Sequence, residues 1–160
     1  MTTKEKLLAL LEDSKGTFFS GEEIARTLQV SRAAVWKAVN ALREDGYTID
    51  AATNKGYRLS PDSDILSPQG IRRFLKPEYR DLDLTVLPTA PSTNALVREK
   101  ANQGRPEGCV IIACEQTDGR GRYGRQFFSP VDSGVYLSLL LRPTTYSPQQ
   151  ATCLTAAAAA

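Results

Sequence analysis

Cys114-Glu115-Gln116-Thr117-Asp118-Gly119-Arg120-Gly121-Arg122-Tyr123-Gly124-Arg125-Gln126-Phe127-Phe128-Ser129-Pro130 is the stretch on which the fold turns. Gly119, Gly121 and Gly124 suit positive φ or a close approach of backbone to ligand, and Arg120, Arg122 and Arg125 supply fixed charge on forked donors. Gly119 to Gly124 formally spells G-x-G-x-x-G. A dinucleotide fold, however, needs a helix at once and an acid about 20 residues on. Gln126-Phe127-Phe128-Ser129-Pro130 and then a strand-like run follow instead, so the doubly wound dinucleotide reading fails on context. The phosphate-loop reading fails as well, because no Gly-Lys-Ser/Thr is present. A disordered Arg/Gly segment conflicts with apolar strands on both sides. Two readings stay open: a cradle for a phosphate or carboxylate, and a solvated basic turn.

The flanks give the architecture. Cys109 to Glu115 is an apolar strand entering the loop. Gly134 to Arg142, apolar at Val135, Leu137, Leu139, Leu140 and Leu141, is expected to lie centrally in a sheet. Upstream, Leu82, Leu84 and Val86 alternate with polar residues as a further strand. Thr89-Ala90-Pro91-Ser92-Thr93-Asn94 then opens a helix from Asn94 to Gln103, with Gly104 as its stop. Ser92, Thr93 and Asn94 suit capping of that helix and binding of a ligand equally well. Strand, helix, strand, loop, strand describes an α/β domain with the loop at a sheet rim. Ser147-Pro148 opens a helix that runs into Ala156 to Ala160 without a C-terminal signal, as in a chain cut mid-helix.

The first third reads differently. Lys4 to Glu12 is a short helix with Leu7, Leu10 and Leu11 on one face. Ser20-Gly21-Glu22-Glu23 has the form of a capping box for a second helix that buries Ile24 and Leu28. After Gln29-Val30, Ser31 caps a third, whose inner stripe is Val35, Ala38, Val39 and Leu42. Ser31, Arg32, Ala33, Trp36, Lys37 and Asn40 fall on its outer sector, a set suited to phosphates and base edges. Trp36 either joins that face or folds back onto the core rim. Tyr47-Thr48-Ile49 and Tyr57-Arg58-Leu59 flank a turn at Asn54-Lys55-Gly56 and form a hairpin. Three helices and a hairpin give the winged helix-turn-helix order, with a solvated charged face as the plainer alternative. Ser60-Pro61-Asp62-Ser63-Asp64 reads as a linker, which divides the chain into domains 1–62 and 63–160. Ser67-Pro68 then starts a helix that stops before Pro77.

Composition narrows the chemistry. A net charge of +2 over 160 residues leaves nucleic-acid contact to local clusters. The chain has no His and three cysteines, Cys109, Cys114 and Cys153, without a C-x-x-C pair. That argues against structural zinc or any other metal site, and against Ser-His or Cys-His nucleophilic catalysis. The short charged N-terminus is no signal peptide and no apolar run spans a membrane, so a cytoplasmic setting is expected.

Ser31-Arg32-Ala33-Ala34-Val35-Trp36-Lys37, Ser92-Thr93-Asn94, and Gln116 through Gly119-Arg120-Gly121-Arg122-Tyr123-Gly124-Arg125 to Ser129-Pro130 resemble, collinearly, the bifunctional bacterial biotin protein ligases that also repress biotin genes. The resemblance implies an α+β chain: a winged helix-turn-helix followed by the first part of a biotin/lipoyl ligase-like catalytic domain with a mixed sheet, truncated. It also implies a two-step enzyme that makes biotinyl-5'-AMP from biotin and ATP, accompanied by Mg2+. Biotin would then pass to a lysine of a biotin carrier domain of a biotin-dependent carboxylase. No permanently bound cofactor is implied. Ser92, Thr93, Asn94, Gln116, Arg120, Gly121 and Arg122 match biotin-binding positions, with Arg122 the catalytic cation. Gly119, Gly124, Arg125 and Phe127 match the adenylate loop, where Phe127 replaces the usual Trp. Tyr123 and Gln126 stand where basic residues are frequent. An essential lysine of the family falls beyond residue 160, so ligation by these residues alone is expected to be absent or very weak. Operator DNA and a homodimer formed when adenylate is bound complete the implied partners. The reading from a different class is a winged-helix regulator with a ligand-sensing α/β domain and no ligase activity.

Overall fold

Thr2 starts the first helix by a full capping box: its hydroxyl accepts from Glu5 N at 3.2 Å while the Glu5 carboxylate accepts from Thr2 N at 2.7 Å. The structure is a computed structural model that describes residues 1–121, 125–131 and 133–144. Helix α1 (Thr3–Asp13) buries Leu7, Leu8 and Leu11. Leu8 takes the inward place expected of Leu10, which packs at the rim of the core. Helix α2 (Gly21–Leu28) is capped by the Ser20 hydroxyl, which accepts from Glu23 N at 3.0 Å. It ends on Gln29 in the left-handed region at φ 55°, and the Gln29 and Val30 amides turn back onto α2. Ser31 then caps α3 (Arg32–Glu44), accepting from Ala34 N at 3.1 Å. The short, tightly bonded link is what a helix-turn-helix requires.

The hairpin pairs β1 (Ile49–Ala52) with β2 (Gly56–Leu59) antiparallel, from Ile49 opposite Leu59 to Ala52 opposite Gly56. Phe19 adds a one-residue third strand that sequence reasoning did not foresee, exchanging both backbone bonds with Tyr57 at 2.9 and 2.8 Å. Leu7, Leu11, Ile24, Val35, Val39, Leu42 and Leu59 close one core, each essentially without solvent contact. Its apolar stripe on α3 is the one the spacing predicts.

Packing carries this unit past residue 62, where composition sets the boundary. Residues Met1–Asp81 form one compact unit and Leu82–Ala160 the other. The extension is α4 (Pro68–Phe74), followed by a single 3-10 turn at Pro77–Tyr79. Ser67 both caps α4, accepting from Gly70 N at 2.9 Å, and gives its proton to the Glu12 carboxylate at 3.2 Å. Arg73 donates to the Glu12 carbonyl and Lys15 to that of Ser63. Glu12 and Ser67 are the buried polar pair of this core, and burial pushes the Tyr47 phenol beside them upward, with the Ser67 hydroxyl opposing that shift. Polar contact rather than apolar area holds α4, which has no buried side chain of its own. Ser67→Ala should therefore cost about 2–3 kcal/mol in urea unfolding, because it removes a cap and strands a buried carboxylate. Ser63→Ala, which leaves the carbonyl bond to Lys15 intact, should stay within about 0.5 kcal/mol.

In the second unit β3 (Asp83–Ala90) and β4 (Cys109–Gln116) run parallel, joined over one face by α5 (Thr93–Asn102). The order among described residues is β3-β4-β5, with β5 (Tyr136–Leu139) antiparallel to β4. The sheet is mixed, as expected. Val97 of α5 packs with Cys109, Ile111 and Leu140 in the core beneath it. The central strand is β4, however, not the run around Leu137. That run forms an edge of the described sheet, with one face turned to α5 and Leu137 and Leu139 exposed on the other. A continuous apolar run signals burial on both faces, and the described residues cover only one. The helix expected from Ser147 to Ala160 lies outside the described residues.

Candidate functional site

The parallel pairing of β3 and β4 brings their C-terminal ends together, Ala90 opposite Gln116. The alignment persists beyond the strands, because Thr117 N donates to the Ala90 carbonyl at 3.0 Å and Asp118 N to that of Pro91 at 2.8 Å. Thr89 Oγ1 also donates to the Glu115 carboxylate at 2.9 Å. Here the chain leaves β3 through Ser92 into α5 and leaves β4 into the Arg/Gly loop. The end of a parallel pair beside a helix N-terminus is a place where ligands collect.

Ser92 is the N-cap of α5, accepting from Ala95 N at 3.4 Å, and is buried. Thr93, also buried, donates through both its amide and its hydroxyl to Gln116 Oε1, at 2.8 and 3.2 Å. Its hydroxyl lies 2.9 Å from Ser138 Oγ on β5. Gln116 Nε2 donates to Ser129 Oγ at 3.2 Å, and Ser129 Oγ donates to the Phe127 carbonyl at 3.2 Å. The side chains of β3–α5, β4, β5 and the loop thus meet in one polar node. Capping and node membership are divided between neighbours: Ser92 caps, Thr93 binds Gln116. Asn94, one residue further on α5, is exposed.

The loop is closed at its base like a narrow hairpin. Gln116 N donates to the Ser129 carbonyl at 3.0 Å, Phe127 N to that of Gly119 at 2.7 Å, and Gly121 N to that of Arg125 at 2.7 Å. Arg120 and Gln126 form a further bridge. Neither Gly119 nor Gly121 takes the positive φ that sequence reasoning allowed them. Gly119 is instead a close-approach glycine: a Cβ there would lie 2.5 Å from the Phe127 carbonyl oxygen and 2.8 Å from Ser129 Oγ. Arg120 is exposed and paired with Asp118 at 3.0 Å, so its charge is partly answered within the loop. Arg125 is exposed. The Phe127 ring, 54% exposed, meets Tyr136 edge to face at 6.5 Å between centroids. Arg122, the expected catalytic cation, and Gly124 lie outside the described residues.

On the first unit, Arg32, Ala33, Trp36 and Lys37 are all exposed on α3 and Asn40 is half-buried, with Ser31 exposed at the cap. Trp36, 58% exposed, belongs to the outer face and not to the core rim. The hairpin adds cations that sequence reasoning passed over. The Arg58 guanidinium lies 4.6 Å and the Lys55 ammonium 6.0 Å from the Phe18 ring centroid, and Arg58 pairs with Asp50 at 2.8 Å.

No His/Cys/Asp/Glu group among the described residues could hold a metal, and no helix among them is long and apolar enough to cross a membrane. Burial pushes the Cys109 thiol above its usual range, which keeps it protonated and inert in β4. The node gathers hydrogen-bonding hydroxyl and carboxamide groups, and the loop carries exposed arginines.

Residues 3–58 match the HTH domain family and residues 86–160 the Biotin/lipoate A/B protein ligase family. Among similar proteins, Bifunctional ligase/repressor BirA of Bacillus subtilis (strain 168) is 39% identical over 142 residues, which is 89% of this chain and 44% of that protein. Bifunctional ligase/repressor BirA of Escherichia coli (strain K12) is 36% identical over 141 residues, 88% of this chain and 42% of that one. The chain therefore spans less than half the length of the curated relatives it matches.

Proposed function

We propose that this chain, which belongs to the family of bifunctional biotin ligase/repressor proteins, supplies its helix-turn-helix segment at 3–58 and its ligase segment at 86–160 to a protein that carries out both halves of that activity. In the first half, the biotin carboxylate attacks the α-phosphorus of ATP, pyrophosphate leaves, and biotinyl-5'-AMP forms. The ε-amine of a carrier-domain lysine then attacks the acyl carbon and releases AMP. Neither step asks the protein for a nucleophile, which agrees with a chain without His and with a buried, protonated Cys109. The observation that carries the proposal is the Gln116 carboxamide, which ties the Ser92–Thr93 turn to the base of the Arg/Gly loop.

In this reading Ser92, Thr93, Asn94 and Gln116 hold the ureido ring. Arg120, Gly121 and Arg122 flank the biotin and adenylate anions, and Gly119, Gly124 and Arg125 let the loop close over them. Phe127 meets the adenine side. Arginines on a glycine loop screen the repulsion between two anions, and closure keeps water from the mixed anhydride. Mg2+ would enter on the nucleotide phosphates, since the described residues offer no carboxylate cluster for it. Adenylate binding would order the loop and favour a homodimer, and the exposed α3 face of Ser31, Arg32, Ala33, Trp36, Lys37 and Asn40 would meet operator DNA.

Biotin-dependent exchange between ATP and pyrophosphate, measured on the whole protein beside operator binding, tests both halves. Exchange together with adenylate-enhanced operator binding is the expected result. Operator binding without exchange would leave a ligand-sensing winged-helix regulator. On the DNA side, Lys37→Ala should weaken binding uniformly across sequences and reduce the salt slope by about 1, the signature of one lost phosphate contact.

A further inference from the structure

The polar node has a direction, and that direction is set by groups with no choice of role. The amide of Thr93 can only donate, and it points at one end of the Gln116 carboxamide at 2.8 Å, so that end must be the oxygen. The carbonyl of Phe127 can only accept, and Ser129 Oγ gives it the single hydroxyl proton at 3.2 Å. Ser129 must therefore accept from the other end of the carboxamide, the nitrogen, at 3.2 Å. Orientation of a glutamine amide is ordinarily ambiguous; here two independent backbone groups give the same answer. The Thr93 hydroxyl spends its proton on Gln116 Oε1, so at the 2.9 Å contact Ser138 is the donor. The chain of donation runs from Ser138 to Thr93 to Gln116 to Ser129 to the Phe127 carbonyl. It leaves Gln116 Oε1 with two donors already in place, and Nε2 with a second N–H that has no partner among the described residues.

We infer that Ser129, backed from the other side by Ser138, is a positioning residue that locks the Gln116 carboxamide in one orientation, so that Gln116 offers its ligand an N–H donor and no acceptor. The selected ligand chemistry is an acceptor oxygen such as the carbonyl of a cyclic urea. Naming biotin as that ligand rests on the function proposed above; the locking of the amide does not.

Two readouts separate the claims. In 15N-edited spectra the Gln116 side-chain amide of the unaltered chain should show one N–H protected from exchange. That protection should be lost in Ser129→Ala and in the volume-matched Ser129→Cys, whose sulfur is a weak acceptor, and kept in Ser129→Thr. Unchanged protection in the Ala and Cys variants would overturn the inference whether or not biotin binds. In calorimetric titration with biotin, Ser129→Ala should bind about five- to tenfold more weakly, the loss expected for one hydrogen bond. The same change should do nothing further in a Gln116→Ala background. An equal loss in both backgrounds would make Ser129 merely structural and end the positioning claim. If the unaltered chain takes up no biotin, the proposed function is what fails, and the exchange readout still decides the role of Ser129.

Discussion

Gly56→Ala should destabilise the helix-turn-helix unit by about 3–5 kcal/mol, the largest single-residue loss expected on that side of the chain. Gly56 opens β2 at φ +96°, where an L side chain is strained before any contact is considered. A Cβ there would also fall 2.0 Å from the Phe19 carbonyl oxygen, 2.6 Å from Ser20 Cα and 2.7 Å from the Phe19 carbonyl carbon. All three are backbone atoms, so no rotamer change relieves the clash. The Phe19–Tyr57 bridge must open, and with it go the one-residue third strand of the wing and the seat of Ser20, which caps α2. Small domains have only about 0.05–0.15 kcal/mol per residue in hand, so such a loss takes a large share of the unit's stability. Urea unfolding followed by Trp36 fluorescence checks it. Gly21→Ala is the control: its Cβ would meet only the Tyr57 ring at 3.7 Å, and it should shift the midpoint little. Similar shifts for the two variants would refute the steric account.

That contrast marks what sequence makes legible. The helix starts at Ser20, Ser31 and Ser67 are local chemistry, one hydroxyl meeting an amide three residues on, and each is readable without the fold. The inner stripe of α3 and the parallel strands around α5 follow from periodicity in the same way. Contacts of long sequence separation leave no such trace. Nothing near Phe19 announces that it pairs with Tyr57, and nothing near Glu12 announces Ser67, 55 residues away. The placement of α4 escapes sequence reasoning for that reason, because a Pro-containing polar stretch looks like a linker whether or not the helix after it docks backward.

The candidate site divides along the same line. Residue types that must meet a ligand, such as Ser92, Thr93, Gln116 and the arginines, stand out because their chemistry is concentrated in short segments. Ser129 and Ser138 carry no such signal. Each is an ordinary serine whose meaning comes from which backbone carbonyl or hydroxyl the fold brings within 3.2 Å. The motif Ser129-Pro130 could have raised the first of them, as it closes the loop just where β4 must be rejoined. Ser138 sits in an apolar run at a position that periodicity alone assigns to either face.

Gly119→Ala should cut ligand binding at the node by at least about tenfold, while Gly121→Ala should cost about threefold or less. Sequence treats the two as equivalent members of one glycine loop, but their surroundings differ. At Gly121 an added Cβ would come no closer than 3.4 Å, to the Arg125 carbonyl oxygen, a contact that a shift of a few tenths of an ångström relieves. At Gly119 it would lie 2.5 Å from the Phe127 carbonyl oxygen, the atom that takes the Ser129 proton, and 2.8 Å from Ser129 Oγ itself. The segment carrying Phe127 and Ser129 must move away, which breaks the 2.7 Å bond from Phe127 N to Gly119 O and withdraws the acceptor that holds Gln116. The alanine thus acts on the ligand through Gln116 without touching it. Calorimetric titration of both variants with biotin measures the ranking, and the exchange rate of the Gln116 side-chain amide shows its cause. Equal losses at the two positions would place the requirement for glycine in loop flexibility rather than in close packing. A large loss at Gly119 with the Gln116 amide still protected would mean that the loop base meets the ligand directly.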